Sequence, residues 1–158
     1  MDSNEFYTFN EYMKKDDSLL TASMEDYLEM IYRLSKNTGF TRVNELSDAL
    51  NVQPPSVTRM IQKLAELKLL RYEKYGVIML KEDGKKAAEK LINRHNIIAQ
   101  LLDILGVSKN KILEETEKVE HTISNETVKC FQCYISFIKS NPDIKTKFKD
   151  FMKSNNPD

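Results

Sequence analysis

The sequence predicts a mainly α-helical protein with a small β-wing, and three observations carry that prediction. The 158 residues include no Trp and only four Gly and four Pro, a composition that favours helices over a glycine-punctuated all-β fold. Apolar residues return at helical spacing through most of the chain. One segment, residues 70–80, breaks that period with two short extended runs on either side of Gly76.

Residues 1–21 alternate aromatics with charges and carry no long period, so they read as an N-terminal extension. The first helix begins near Ser23, whose hydroxyl suits an N-cap, and runs through "MEDYLEMIYRLSKN". Met24, Tyr27, Leu28, Ile31 and Leu34 form its apolar stripe, and Gly39 ends it.

Next comes "TRVNELSDALNVQPPSVTRMIQKLAELKLL". Val43, Leu46 and Leu50 make a short helix, and Asn51 and Val52 a tight turn. Val57, Ile61 and Leu64 are the inward side of a second helix, with Pro54 and Pro55 in its first turn, where a missing N–H costs little. That second helix turns Ser56, Thr58, Arg59, Gln62 and Lys63 outward, hydroxyls first and then cationic and amide groups. Such donors match base edges and phosphates in a major groove. Taken alone, the pair is also an ordinary αα-hairpin.

The following residues narrow the choice. "LLRYEKYGVIMLKEDGKKAAEKL" reads as a strand through Leu70 and Tyr72, a turn at 74–76, a return strand from Val77 to Leu80, and a helix opened by "KEDG". Helix, turn, helix and a two-stranded ribbon bearing Arg71, Lys74 and Lys81 is the order of a winged helix-turn-helix, in which one helix enters the groove and the wing touches the backbone. Charge agrees: Lys and Arg outnumber Asp and Glu by 11 to 7 over residues 42–94, against 4 to 8 before and 9 to 9 after.

A long amphipathic helix then runs from about Asp83 to Leu105 and carries His95. Gly106 and Ser108 interrupt, "SKNKILEETEKVEHTI" supplies another helix, "SNETVKCFQCYISFIKS" a further one, and "NPDIKTKFKDFMKS" a last, capped by Asn141 with Pro142 in its first turn. Phe131, Tyr134, Phe137 and Ile138 exceed what one small core needs, which predicts a homodimer joined largely through the helices after Ser108 and part of the first helix. Cys130 and Cys133 lack a second Cys pair and a preceding strand, so packing in a helical face outweighs a redox or half-zinc role.

No apolar run reaches the roughly 18 residues of a membrane span. "MDSNEFYTFN" has neither a basic start nor an apolar core. The expectation is a cytoplasmic protein with no membrane partner.

Both histidines join carboxylates at helical spacings. Asp26 and Glu29 share a face of the first helix, and Glu117, Glu120 and His121 follow i, i+3, i+4. His95 stands on the long helix. Singly, each is an ordinary surface acid or packing histidine. Jointly, oxygen and imidazole donors suit borderline-hard divalent ions such as manganese or ferrous iron rather than a thiolate-rich structural zinc site.

From "SMEDYLEMIYRL" through "PPSVTRMIQKL" and "RYEKYGVIMLKEDGKK" to "RH" at 94–95 and "EKVEH" at 117–121, the chain resembles the diphtheria toxin repressor family of metal-dependent transcriptional repressors, in its manganese transport regulator branch. The resemblance implies a winged helix-turn-helix DNA-binding domain, here residues 22–92, plus a helical metal-binding and dimerisation domain, 93–158. It implies Asp26, Glu29, His95, Glu117, Glu120 and His121 as ligands for two Mn²⁺ ions per subunit, other divalent metals also binding, and a homodimer on double-stranded operator DNA controlling manganese uptake. The iron-responsive branch places Met or Cys where Glu120 stands and usually adds a C-terminal domain. An iron- or zinc-responsive repressor of the same fold is the alternative. A dinuclear metal hydrolase is the enzymatic one, and it lacks a glycine-rich phosphate cradle or positioned nucleophile.

Overall fold

The computed structural model describes residues 20–155. Most of the extension read from the sequence over 1–21 lies outside the described residues. The chain forms two compact units that divide between Lys85 and Lys86.

The first unit opens with α1 (Ala22–Ser35). Its N-cap is Thr21, whose hydroxyl accepts from the Met24 N–H at 3.3 Å. The cap therefore lies two residues before Ser23, which sits inside the first turn; both hydroxyls suit a cap. Tyr27, Leu28 and Ile31 are buried along one stripe.

A two-residue strand, β1 (Thr41–Arg42), leads into α2 (Val43–Leu50). Asn51 ends α2 in the left-handed region, φ 53°, a conformation asparagine tolerates better than most side chains. The turn is closed by Ser47, whose hydroxyl donates to the Val52 carbonyl at 2.5 Å and whose own carbonyl accepts from the Val52 N–H at 3.1 Å. The next helix, α3 (Pro54–Glu66), has proline in its first turn as expected. Its inward residues Val57, Ile61 and Leu64 are fully buried with Leu46 of α2 and Leu28 and Ile31 of α1, each such burial stabilising by about 1.5–3 kcal/mol.

The wing is β2 (Leu70–Glu73), a tight turn over Lys74–Gly76, and β3 (Val77–Leu80). It is not a two-stranded ribbon. Antiparallel pairing of Thr41 with Ile78 and Arg42 with Val77 places β1 on the other edge of β3, in the order β1-β3-β2. Two residues are too few to show a period of two, so the sequence carried no signal for this strand.

Next is α4 (Glu82–Ile104). Its first turn lies against the backbone that leaves α3. A Cβ on Gly84 would stand 2.0 Å from the Leu69 carbonyl oxygen, so only glycine lets the helix start there.

In the second unit, Gly106 at φ 89° breaks the chain after α4. Then come α5 (Lys109–Glu120), α6 (Asn125–Ser140) and α7 (Pro142–Asn155). The core is Ile97, Leu101 and Ile104 of α4 with Val128, Ile135 and Ile138 of α6, covered in part by Ile123, Phe131 and Ile144. Ile138 is thus core and not surplus surface, whereas Tyr134 and Phe137 are exposed. Cys130 and Cys133 are also exposed; they stand on the same side of α6 as Tyr134 and Phe137, opposite the buried stripe, so the helix rotation overrules their expected packing.

Candidate metal centre and nucleic-acid interface

Four of the predicted ligands fall in the second unit, and α4 and α5 bring them together. Glu114 and Glu115 turn outward and share the Lys118 ammonium, which holds the Glu114 carboxyl below the usual glutamate range. Glu117 and Glu120 turn the other way. The helix thus separates its four glutamates into a pair neutralised by lysine and a pair directed at imidazole, of which only Glu120 is buried.

Glu120 is 3% exposed and His95 9%. The His95 Nδ1 lies 3.0 Å from Glu120 Oε2 and 3.6 Å from Glu117 Oε1. On the other side of the Glu120 carboxylate, its Oε1 lies 3.6 Å from His121 Nε2. Glu117 and His121 also present ligand atoms within 4.8 Å of each other. A buried carboxylate is costly unless positive charge or donors compensate it; here Oε2 lies at hydrogen-bond distance from the His95 imidazole, and Oε1 faces that of His121 from beyond it.

α5 stops at Glu120, so His121 is its C-cap, at φ −85° and ψ −3°, and not an interior helical residue. Arg94, beside His95 on α4, fixes that end: one guanidinium nitrogen donates to the Glu120 carbonyl at 3.0 Å and another to Asn125 Oδ1 at 2.8 Å. Arg94 carries no metal-ligand chemistry, and its adjacency to His95 in "RH" was the available signal for this positioning role.

In the first unit, Asp26 and Glu29 stand three apart on α1. Glu29 Oε1 accepts from Arg33 Nε at 3.0 Å, an i, i+4 salt link along α1.

The outward face of α3 presents Ser56, Arg59, Gln62 and Lys63 as exposed side chains. Thr58 is half-buried, and its hydroxyl donates back to the Pro54 carbonyl at 3.1 Å. On the wing, Lys74 is exposed at the tip. Arg71 and Lys81 lie instead at the base, lining a groove of about 550 Å³ with Lys68, Met79, Leu80, Glu82 and Asp83. Lys68 follows α3 in the left-handed region, and no local pattern in the sequence marks it for this position.

Two family models match the chain: residues 19–78 match the N-terminal DNA binding domain of the iron dependent repressor, and residues 81–149 its metal binding and dimerisation domain. The HTH-type transcriptional regulator MntR of Bacillus pumilus is 37% identical over 137 residues, 87% of this chain and 95% of that protein. The MntR of Oceanobacillus iheyensis is 38% identical over 133 residues, 84% of this chain and 88% of that one. Among solved structures, that of the manganese regulator SloR superposes with a TM-score of 0.64 at 28% identity, covering 75% of this chain and 55% of SloR. The chain therefore spans about half the length of that structure.

Proposed function

The chain belongs to the iron-dependent repressor family, and from that membership we propose that it is a manganese-dependent transcriptional repressor that governs manganese uptake and homeostasis from the cytoplasm. It is a DNA-binding regulator and not an enzyme. No helix among the described residues is long and apolar enough to cross a membrane.

The observation that carries the metal reading is the buried Glu120 carboxylate with an imidazole beside each oxygen. In this reading His95, Glu117, Glu120 and His121 hold Mn²⁺, Asp26 and Glu29 add carboxylates from α1, and two ions bind per subunit. The donors are nitrogen and oxygen only, and the two thiols stand elsewhere, exposed on α6, which suits a borderline-hard ion. Bound there, the ion supplies the positive charge that lets several carboxylates share one centre.

Because Mn²⁺ lies at the weak end of the Irving–Williams series, the ligand set selects it by geometry and donor type and not by affinity, so Zn²⁺ binds as well but activates less. A homodimer places two copies of α3 in successive major grooves of operator DNA, about 34 Å apart. Ordering by metal favours that spacing, and metal and DNA then raise each other's affinity by the same factor.

The test is a Mn²⁺ titration of purified apo protein, read as retention of duplex DNA, on the parent and on His95→Ala. The expected result is an apo protein that still melts cooperatively, lowered only by the loss of one partner of the Glu120 carboxylate, with most of the metal-induced gain in DNA affinity gone. A normal apo melt with the gain intact would remove His95 from the ligand set.

A further inference from the structure

Tyr75 sits at the tip of the wing, between Lys74 and Gly76, and two features of it are uncompensated among the described residues. Its backbone lies in the left-handed region, φ 66° and ψ 24°, where a Cβ crowds the adjacent carbonyl and a bulky aromatic is an outlier. Gly76 beside it is also left-handed, φ 72°, so the turn needs two such residues in succession and glycine occupies only the second.

The ring is 90% exposed, more than any other large hydrophobic side chain among the described residues. Neither the strain nor the exposed apolar surface is offset by packing. Gly76 lies beside the start of α2, where an added Cβ would make an ordinary contact with the Val43 side chain at 3.6 Å, while Tyr75 stands out in solvent. Strained backbone of this kind clusters at functional sites, where the surrounding contacts over-determine it.

We propose that Tyr75 is a DNA-contacting residue, its ring packing on the deoxyribose wall of the minor groove next to the major groove that α3 occupies. This rests on the reading of the chain as a DNA-binding repressor and adds a neutral contact to the charged ones. The chemistry matches that partner. Lys74, exposed and adjacent, supplies the phosphate attraction, the ring supplies an apolar face for the sugars, and the phenol hydroxyl can donate to the acceptors that every base pair shows in the minor groove.

The test uses Tyr75→Asn and Tyr75→Gly, both of which accept the left-handed conformation. Affinity is measured with Mn²⁺ on a duplex selected from a random library by the parent protein, together with its slope against salt concentration and the apo melting midpoint. We expect about tenfold weaker binding, as for removal of one well-packed aromatic ring. The salt slope should not change, because no charge is removed, and the melting midpoint should be equal or higher. Affinity within twofold of the parent for both variants overturns the inference, and so does a midpoint several degrees lower in both, which would make the ring part of the fold. A parent that retains no duplex with Mn²⁺ overturns this inference and the proposed function together, whereas unaltered variants of a binding parent overturn this one alone.

Discussion

Glu45 illustrates how a single side chain closes a junction between elements. Its Oε2 accepts from the Thr41 hydroxyl at 2.7 Å and from the Arg42 N–H at 2.9 Å, so one carboxylate satisfies both the last strand residues and the open end of α2. The Thr41 hydroxyl first, and then the Arg42 N–H, hold the Glu45 carboxyl below its ordinary value of 4.5. A carboxylate whose folded-state pKa is lowered adds stability that is present above the unfolded value and is lost as pH falls through the lowered one. Glu45→Ala should therefore melt roughly 2–4 °C below the parent at pH 7, and the gap should narrow once pH drops below 4.5. Thermal melts between pH 7 and pH 3 check this; a gap independent of pH would mean that the carboxylate's charge does not matter.

In the proposed reading, the elements of the first unit divide the work of recognition by chemistry. α3 is rigid because its inward residues are fully buried and its first turn is set by proline, so Arg59 and Gln62 are carried on a stiff rod. Lys74 is carried on a two-stranded turn. If Arg59 reads a base, Arg59→Ala should reduce preference for the selected duplex over a random one by about 1–3 kcal/mol. Lys74→Ala should weaken both duplexes alike and lower the salt slope by roughly one for each phosphate that is no longer neutralised. Binding isotherms at several salt concentrations distinguish them, and equal weakening on both duplexes for Arg59→Ala would assign that residue to the backbone. Thr58 belongs with neither group while its hydroxyl is engaged by the Pro54 carbonyl.

At the scale of the whole molecule, repression by this reading needs two copies. The second unit leaves Tyr134 at 39% and Phe137 at 50% exposure on the face of α6 that also carries Cys130 and Cys133. In a two-fold dimer formed through this face, the stripe would meet its own copy. The double variant Tyr134→Asp, Phe137→Asp should sediment as a monomer, keep its helical content, and lose DNA affinity because two half-sites are no longer read at once. A stable dimer of that variant would place the interface elsewhere.

Read alone, the chain determined its helices, the helix-turn-helix and the wing, because each shows a local pattern: apolar spacing, proline in a first turn, glycine where a tight turn needs it. It also carried the donor types, since "EKVEH" and "RH" name imidazole and carboxylate whatever the fold. Tertiary structure alone decided which pairs meet. The pairing of Thr41 with Ile78 forms a third strand too short to show a period. The close approach of Leu69 to Gly84 decides where α4 begins. The rotation of α5 sends Glu114 and Glu115 to Lys118 and Glu120 to two imidazoles, and that of α6 buries Ile138 while exposing both cysteines. The physical reason is range: periodicity and capping are interactions among neighbours a few residues apart, whereas the burial of a carboxylate beside a histidine on another helix is set by how two separately determined helices pack.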